Sequence, residues 1–187
     1  MEPMAEKLGA GKHMIPVLIV GAGPYGLSLA NYMSAMGQEF KIIGKPMELW
    51  REHTFSEASL RSEMATSEIA HPQSAYSIQT FRTQNGLDRG KPSERIDVKE
   101  YRQYIDWVLG EIPYEIQPEY LTNLSQMDDY FKAKLESGET LKAKQVVIAT
   151  GVAHHLKVPA EFSSAKDVIH SYYTQEIEAL QGKKVLV

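Results

Sequence analysis

The sequence predicts an α/β fold, a parallel sheet carrying helices with an antiparallel β hairpin attached, and three observations predict it. A strand-length apolar run ends abruptly in glycines, a helical period follows them, and the spacing switches to two in the last third of the chain. The 187 residues suit one core of ordinary size, and 43% hydrophobic with 24% charged residues is the composition of a globular chain.

Residues 15–20 are rich in β-branched side chains and apolar on both faces, as a central parallel strand requires. From Pro24 the apolar residues Leu27, Ala30 and Met33 recur at helical spacing, and Gly37 falls where a helix C-cap is expected. A second short strand over 40–43 completes a βαβ unit, whose strands pair in parallel with a right-handed crossover. Residues 48–90 show weak periodicity and predict irregular structure with short helical pieces.

Asp97 reads as the N-cap of the next helix, with Glu100 reaching back to complete a capping box. Val98, Tyr101, Ile105 and Val108 form that helix's packing face, with Tyr104 and Trp107 beside it. Past Pro118, Phe131, Ala133 and Leu135 alternate with Tyr130, Lys132 and Lys134, and 137–139 make a turn into a returning strand over 140–143. The run 146–149 reads as a buried parallel strand that leads into Thr150-Gly151.

Twenty Lys plus Arg against 24 Asp plus Glu give a net charge of −4 with the bases dispersed, so no nucleic-acid partner is expected. No apolar run approaches the roughly 20 residues that span a bilayer, so no membrane partner is expected either. Residues 1–14 lack the apolar centre of a signal peptide and read as a flexible leader, with a cytoplasmic location by default. The absence of cysteine excludes disulfide frameworks, thiolate metal sites, cysteine nucleophiles and dithiol relays within this chain. His154-His155 lack further ligands at workable spacing, and no metal is expected.

Gly21-Ala22-Gly23-Pro24-Tyr25-Gly26 is a G-x-G-x-x-G between a predicted strand and a predicted helix, the context in which the pattern binds dinucleotides. Gly21 permits the turn out of the strand, Gly23 lets a pyrophosphate approach the backbone, and Gly26 lets helix and strand pack closely. Free N–H groups at the helix start and the helix dipole hold the phosphates, and Pro24 sits near the first helical position, where it lacks nothing the helix needs. The acidic residue expected about 20 residues on, for the adenosine ribose, is replaced by Gly44-Lys45. Glu48 reaching back, Lys45 facing a phosphate, or backbone and water are the three ways left to hold that end. Tyr130 and Lys134 have the Y-x-x-x-K spacing of a hydride-transfer pair, but on a strand four residues span about 13 Å and share no proton relay.

Residues 17–26, the hairpin 130–143 and Val146-Val147-Ile148-Ala149-Thr150-Gly151 resemble the FAD-binding half of two-dinucleotide-domain flavoproteins, the NAD(P)/FAD-dependent oxidoreductases. Met47-Glu48-Leu49-Trp50, Leu60-Arg61-Ser62 and Ile169-His170-Ser171 resemble the flavin-containing and N-hydroxylating monooxygenase branch. The resemblance implies a Rossmann-like FAD-binding domain over 15–182. It places Gly21, Ala22, Gly23, Pro24, Tyr25, Gly26, Gly44, Lys45, Trp50, Arg61, Ser62, Thr150 and Gly151 at the FAD site, and it assigns no catalytic residue. It further implies that NAD(P)H reduces FAD and that the reduced flavin passes oxygen to a nitrogen, sulfur or carbonyl of a small-molecule substrate. Reductases of the thioredoxin and glutathione type need a thiol pair beside the flavin, which this chain lacks. Two departures from the branch stand out: the ribose-binding Glu is absent, and Phe162-Ser163-Ser164-Ala165 has no glycine. Residues 183–187 read as the first strand of a second, NAD(P)H-binding domain that does not follow, so a truncated form inactive with NADPH is expected. The alternative is a noncatalytic nucleotide-binding module.

Overall fold

The computed structural model describes residues 13–162, 164, 165, 168, 170–173 and 180–185. Along the chain come β1 (Met14–Val20), α1 (Pro24–Ala35), β2 (Lys41–Ile43), α2 (Glu48–Glu52), α3 (Ile78–Gln84) and α4 (Val98–Glu111). Strands β3 (Ile116–Gln117), β4 (Leu121–Gln126), β5 (Phe131–Leu135) and β6 (Thr140–Ile148) follow. The leader to residue 12 and residues 186 and 187 lie outside the described residues, and 183–185 are irregular.

The six strands form one sheet in the order β3-β2-β1-β6-β5-β4. β1 pairs in parallel with β2 and β6, and β2 with β3, while β5 runs antiparallel to both β4 and β6. Sequence spacing separates a hairpin strand over 140–143 from a parallel strand over 146–149. The structure joins them: β6 pairs with β5 through Ala143↔Phe131 and with β1 through Leu18↔Val146 and Val20↔Ile148. Val20 also pairs with Ile43. Three parallel strands therefore end level with one another, and Gly21, Gly44 and Ala149 begin the loops at that edge.

From Val17 to Val20 successive β1 side chains point to opposite faces, and each face has its own core. Ile19 and Ile42 pack with Leu27 and Ala30 of α1 and with Tyr101, Tyr104, Ile105 and Val108 of α4. Ile15, Leu18, Val20 and Ile43 pack with Ala133, Leu135, Leu141 and Ala143. Tyr104 belongs fully to the first core. Its hydroxyl donates to the Tyr76 carbonyl and accepts from the Ile69 N–H, each at 2.7 Å, so its burial leaves no polar group unmet. Asn31 is likewise buried and satisfied: its Nδ2 donates to the Ala70 carbonyl at 3.0 Å and its Oδ1 accepts from Tyr114 at 2.7 Å. Gly37, with φ +65°, follows α1 in the left-handed conformation expected at a helix end.

Two expectations are corrected. Asp97 caps α4 by accepting from the Glu100 N–H at 2.7 Å, but the Glu100 carboxylate does not reach back. It takes the Arg82 guanidinium on two oxygens, Nε at 2.5 Å and Nη2 at 2.9 Å, with Glu94 on Nη1 at 3.2 Å. Two charge-assisted bonds to a largely buried guanidinium outweigh a single bond to a backbone N–H. The run 146–149 is not uniformly buried either: Val147 is 37% and Ile148 58% exposed. β5 stops pairing at Ala143, so the outer edge of β6 is uncovered beyond that point among the described residues. No helix among them is long and apolar enough to cross a membrane.

Candidate functional site

Where the three parallel strands end, the backbone is pulled into a tight knot. The Gly21 N–H donates to the Ile43 carbonyl at 2.8 Å, the Ala149 N–H to Val20 at 2.7 Å and the Met47 N–H to Ala22 at 2.9 Å. Gly21 has φ +113°, and a Cβ there would lie 2.3 Å from the Ala149 carbonyl oxygen. A Cβ on Gly26 would lie 1.8 Å from the Gly21 carbonyl oxygen. These two glycines are demanded by the chain itself. Gly23 is different, because a Cβ there would meet nothing within 4 Å. The missing side chain at Gly23 leaves room for something outside the chain.

α1 starts at that room with Gly23 as its N-cap residue and Pro24 in its first turn; it has no side-chain cap and no acidic residue there. Uncapped first-turn N–H groups and the positive end of the helix dipole make this a place for an anion. A groove of about 540 Å³ opens in front of it, within the usual range for ligand cavities. Of the residues placed at the site by sequence, Gly21, Ala22, Gly23, Pro24, Tyr25, Gly44, Lys45, Trp50, Thr150 and Gly151 line the groove. Gly26 sits behind it, buried against β1. Arg61 and Ser62 lie outside the lining; both are exposed, and the Ser62 hydroxyl pairs with that of Ser67 at 2.8 Å.

Trp50 is set edge-on to Tyr101, with ring centroids 5.1 Å apart, which ties the groove wall to α4. Arg102 of α4 reinforces the tie. Its guanidinium donates to the carbonyls of Trp50 at 2.9 Å and Thr54 at 2.6 Å and to the Ser56 hydroxyl at 2.9 Å. Tyr25, 84% exposed, stands at the groove's glycine end.

A polar cluster occupies the wall below Gly44. The Glu48 carboxylate, with its side chain 12% exposed, accepts from the Tyr120 hydroxyl at 2.5 Å and lies 3.6 Å from Lys45 Nζ. His154 Nε2 at 3.9 Å and His53 Nε2 at 4.0 Å approach the same carboxylate. Lys45 also sits over the Tyr120 ring, 4.9 Å from its centroid. Burial, then the hydrogen bond to Glu48, pushes the Tyr120 hydroxyl up to about 12, so it stays a donor. Contact with Tyr120 and the charge of Glu48 hold Lys45 above its ordinary range. Glu48, Glu52 and His53 bring one ligand atom each within 4.8 Å of one another, but the Lys45 ammonium already supplies the cation there. Sequence reasoning named Glu48 only as one alternative and missed Tyr120, which no motif marks.

The segment 170–173 returns to this wall. The Tyr172 ring stacks on His53 at 3.7 Å, and His53 Nδ1 lies 3.1 Å from the Tyr172 carbonyl. It is Tyr172 that meets the end of α2, while Ile169 lies outside the described residues. Tyr130 precedes β5 and faces Lys142, 5.3 Å from its ring centroid, rather than joining Lys134 in a relay.

The strand order, the groove at the parallel strand ends and the cradle at Gly23 fit a dinucleotide's pyrophosphate. Residues 18–187 match the family described as pyridine nucleotide-disulphide oxidoreductase. An uncharacterized oxidoreductase, CzcO of Bacillus subtilis, is 26% identical over 166 residues, 87% of this chain and 44% of that protein. Among solved structures, a flavin monooxygenase from Stenotrophomonas maltophilia superposes with a TM-score of 0.66 at 19% identity, over 89% of this chain and 48% of that one. A bacillithiol disulfide reductase from Staphylococcus aureus superposes with a TM-score of 0.58 at 18% identity, over 74% of this chain and 38% of that one. The chain spans less than half the length of each of these relatives, and the two superpositions show the shared fold. On the family match across nearly its whole length, the chain belongs to the pyridine nucleotide-disulphide oxidoreductase family.

Proposed function

We propose that this chain is the FAD-binding part of a flavoprotein oxidoreductase that uses NAD(P)H and acts as a monooxygenase on a small molecule. The single observation that carries the reading is the open space at Gly23, facing an uncapped helix start, where the neighbouring glycines are fixed by backbone contacts. When bound, FAD supplies two-electron redox chemistry and the activation of oxygen. The chain's own residues do the holding. First-turn N–H groups of α1 take the pyrophosphate, and Trp50 with Thr150-Gly151 form the walls along which the rest of the cofactor lies.

One feature favours monooxygenase chemistry. Trp50, which the resemblance ties to the monooxygenase branch, lines the groove and is locked by Tyr101 and Arg102.

The test has two arms. The 187-residue chain, incubated with FAD and desalted, is expected to stay yellow with one flavin per chain. The product of the whole reading frame is expected to bleach with NADPH in the absence of air and to consume oxygen when air returns. A colourless protein that takes up no FAD would contradict the reading. A flavoprotein that NAD(P)H does not bleach would leave a binding module only.

A further inference from the structure

The adenosine end of the groove departs from the usual plan in a way the backbone explains. An acid at the end of the second strand ordinarily accepts the ribose hydroxyl, but here that position is Gly44 with φ +124°. A Cβ on it would lie 3.0 Å from the Ala22 nitrogen and 3.2 Å from the Gly21 Cα, backbone atoms that cannot swing aside. A side chain at the strand end is therefore strained by both contact and φ, and an acceptor for that end is more easily supplied from elsewhere.

Glu48, the first residue of α2, brings a carboxylate to the same wall of the groove. Its Oε1 is fixed by Tyr120 at 2.5 Å and by Lys45 at 3.6 Å. The other oxygen, Oε2, has His154 Nε2 at 3.9 Å, too far for a hydrogen bond. One oxygen is thus anchored, while the other keeps accepting capacity on a residue that lines the groove. Lys45 is turned onto Glu48 and over Tyr120, so the carboxylate offsets part of its charge.

We propose that Glu48 reads the adenosine ribose in place of a strand-end acid, accepting a free 2′-hydroxyl and turning away a 2′-phosphate, with Lys45 and Tyr120 holding it in position. The proposal rests on the dinucleotide reading above and adds to it the group that selects the adenosine half. Glu48 and Lys45 then act with opposite signs. Without the carboxylate, Lys45 is released to attract a 2′-phosphate; without Lys45, the carboxylate repels one more strongly.

The test titrates the 187-residue chain with FAD, ADP, 2′-deoxy-ADP and 2′-phosphoadenosine 5′-diphosphate by calorimetry. The native chain is expected to prefer ADP over 2′-deoxy-ADP by about tenfold, the value of a hydrogen bond to a charged acceptor. Glu48→Gln should cut that preference to about twofold and reduce the rejection of the 2′-phosphate by about tenfold or more. With Tyr120 still anchoring the carboxylate, Lys45→Ala should keep most of the hydroxyl preference and sharpen the rejection. A native chain that binds ADP and 2′-deoxy-ADP equally, or a Glu48→Gln chain that discriminates as the native one does, would overturn the proposal while leaving FAD binding intact. A native chain that binds neither FAD nor ADP would instead overturn the dinucleotide reading and this proposal with it. Should Glu48→Gln not fold, the native titration and the Lys45→Ala arm still decide.

Discussion

Gly21, Gly23 and Gly26 share a residue type and differ in what excludes a side chain. At Gly21 and Gly26 the obstacle is the chain's own carbonyl oxygens, and at Gly21 a positive φ as well; at Gly23 there is only space. Gly21→Ala and Gly26→Ala are each expected to cost at least about 2 kcal/mol of stability in the absence of FAD, from backbone clash and strain. Gly23→Ala is expected to melt within a degree or so of the native chain and to bind FAD at least about tenfold more weakly, since its methyl group occupies the phosphate's room. Melting curves and FAD titrations of the three variants separate the two kinds of glycine. Glu68 gives a second residue-scale case. Burial raises its carboxyl above the usual carboxylate range, while its Oε1 accepts from the Ile78 N–H at 3.0 Å. A raised folded-state value means that the stability from this group is full below the ordinary carboxylate value. It is lost as pH rises through the raised value, so at neutral pH the ionised group carries a burial penalty. Glu68→Gln keeps the acceptor and removes the penalty. Its melting midpoint at neutral pH should equal or exceed the native one and gain less on acidification through the carboxylate range; a clear drop at neutral pH would contradict this.

Elements whose pattern is local were legible. β1, the glycine turn, α1, the Asp97 cap, the apolar face of α4 and the alternation in β5 each follow from neighbours within a few residues, and each stands within one residue of its expected place. What escaped depends on distant partners. β3 has two residues and no period to read, and β4, Leu-Thr-Asn-Leu-Ser-Gln, is mostly polar and gains its strand character from pairing with β5. Glu100 satisfied a local rule on paper, yet its carboxylate is claimed by Arg82, 18 positions earlier in the chain. The site divides the same way: the glycine turn announces itself, whereas Tyr120 joins it from a segment without a motif. Arg102 is the element-scale link between α4 and the groove. Arg102→Ala frees one acceptor in α2, at Trp50, and two in the loop that follows it, at Thr54 and Ser56. It is expected to lower stability by about 2 kcal/mol, to speed proteolytic cutting in that loop and to weaken FAD binding. Arg102→Lys should restore little, because one ammonium cannot span three acceptors in the plane that a guanidinium fork matches. Limited proteolysis with and without FAD checks both variants; a lysine variant as resistant as the native chain would contradict the role given to the fork.

At the scale of the molecule, the sheet order puts β1 between β2 and β6: the chain leaves β1 toward β2 and β3 on one side and returns through β4 and β5 to β6 on the other. In open α/β sheets the crevice at such a point, beyond the carboxyl ends of the strands, is where ligands bind. The groove lies there. Its apolar rim, Tyr25, Ile148 and Val152, is exposed in the chain as it stands. The anion-ready helix start, the level strand ends and the displaced carboxylate of Glu48 all face the same space, so one bound molecule should report on all of them. The most direct measurement is amide hydrogen exchange of the 187-residue chain with and without FAD. Exchange is expected to slow at residues 22–26 and at Thr150-Gly151 when FAD is present, and to stay unchanged in β4 at the far edge of the sheet. Unchanged exchange at the glycine turn under saturating FAD, or protection confined to the hairpin, would contradict the account.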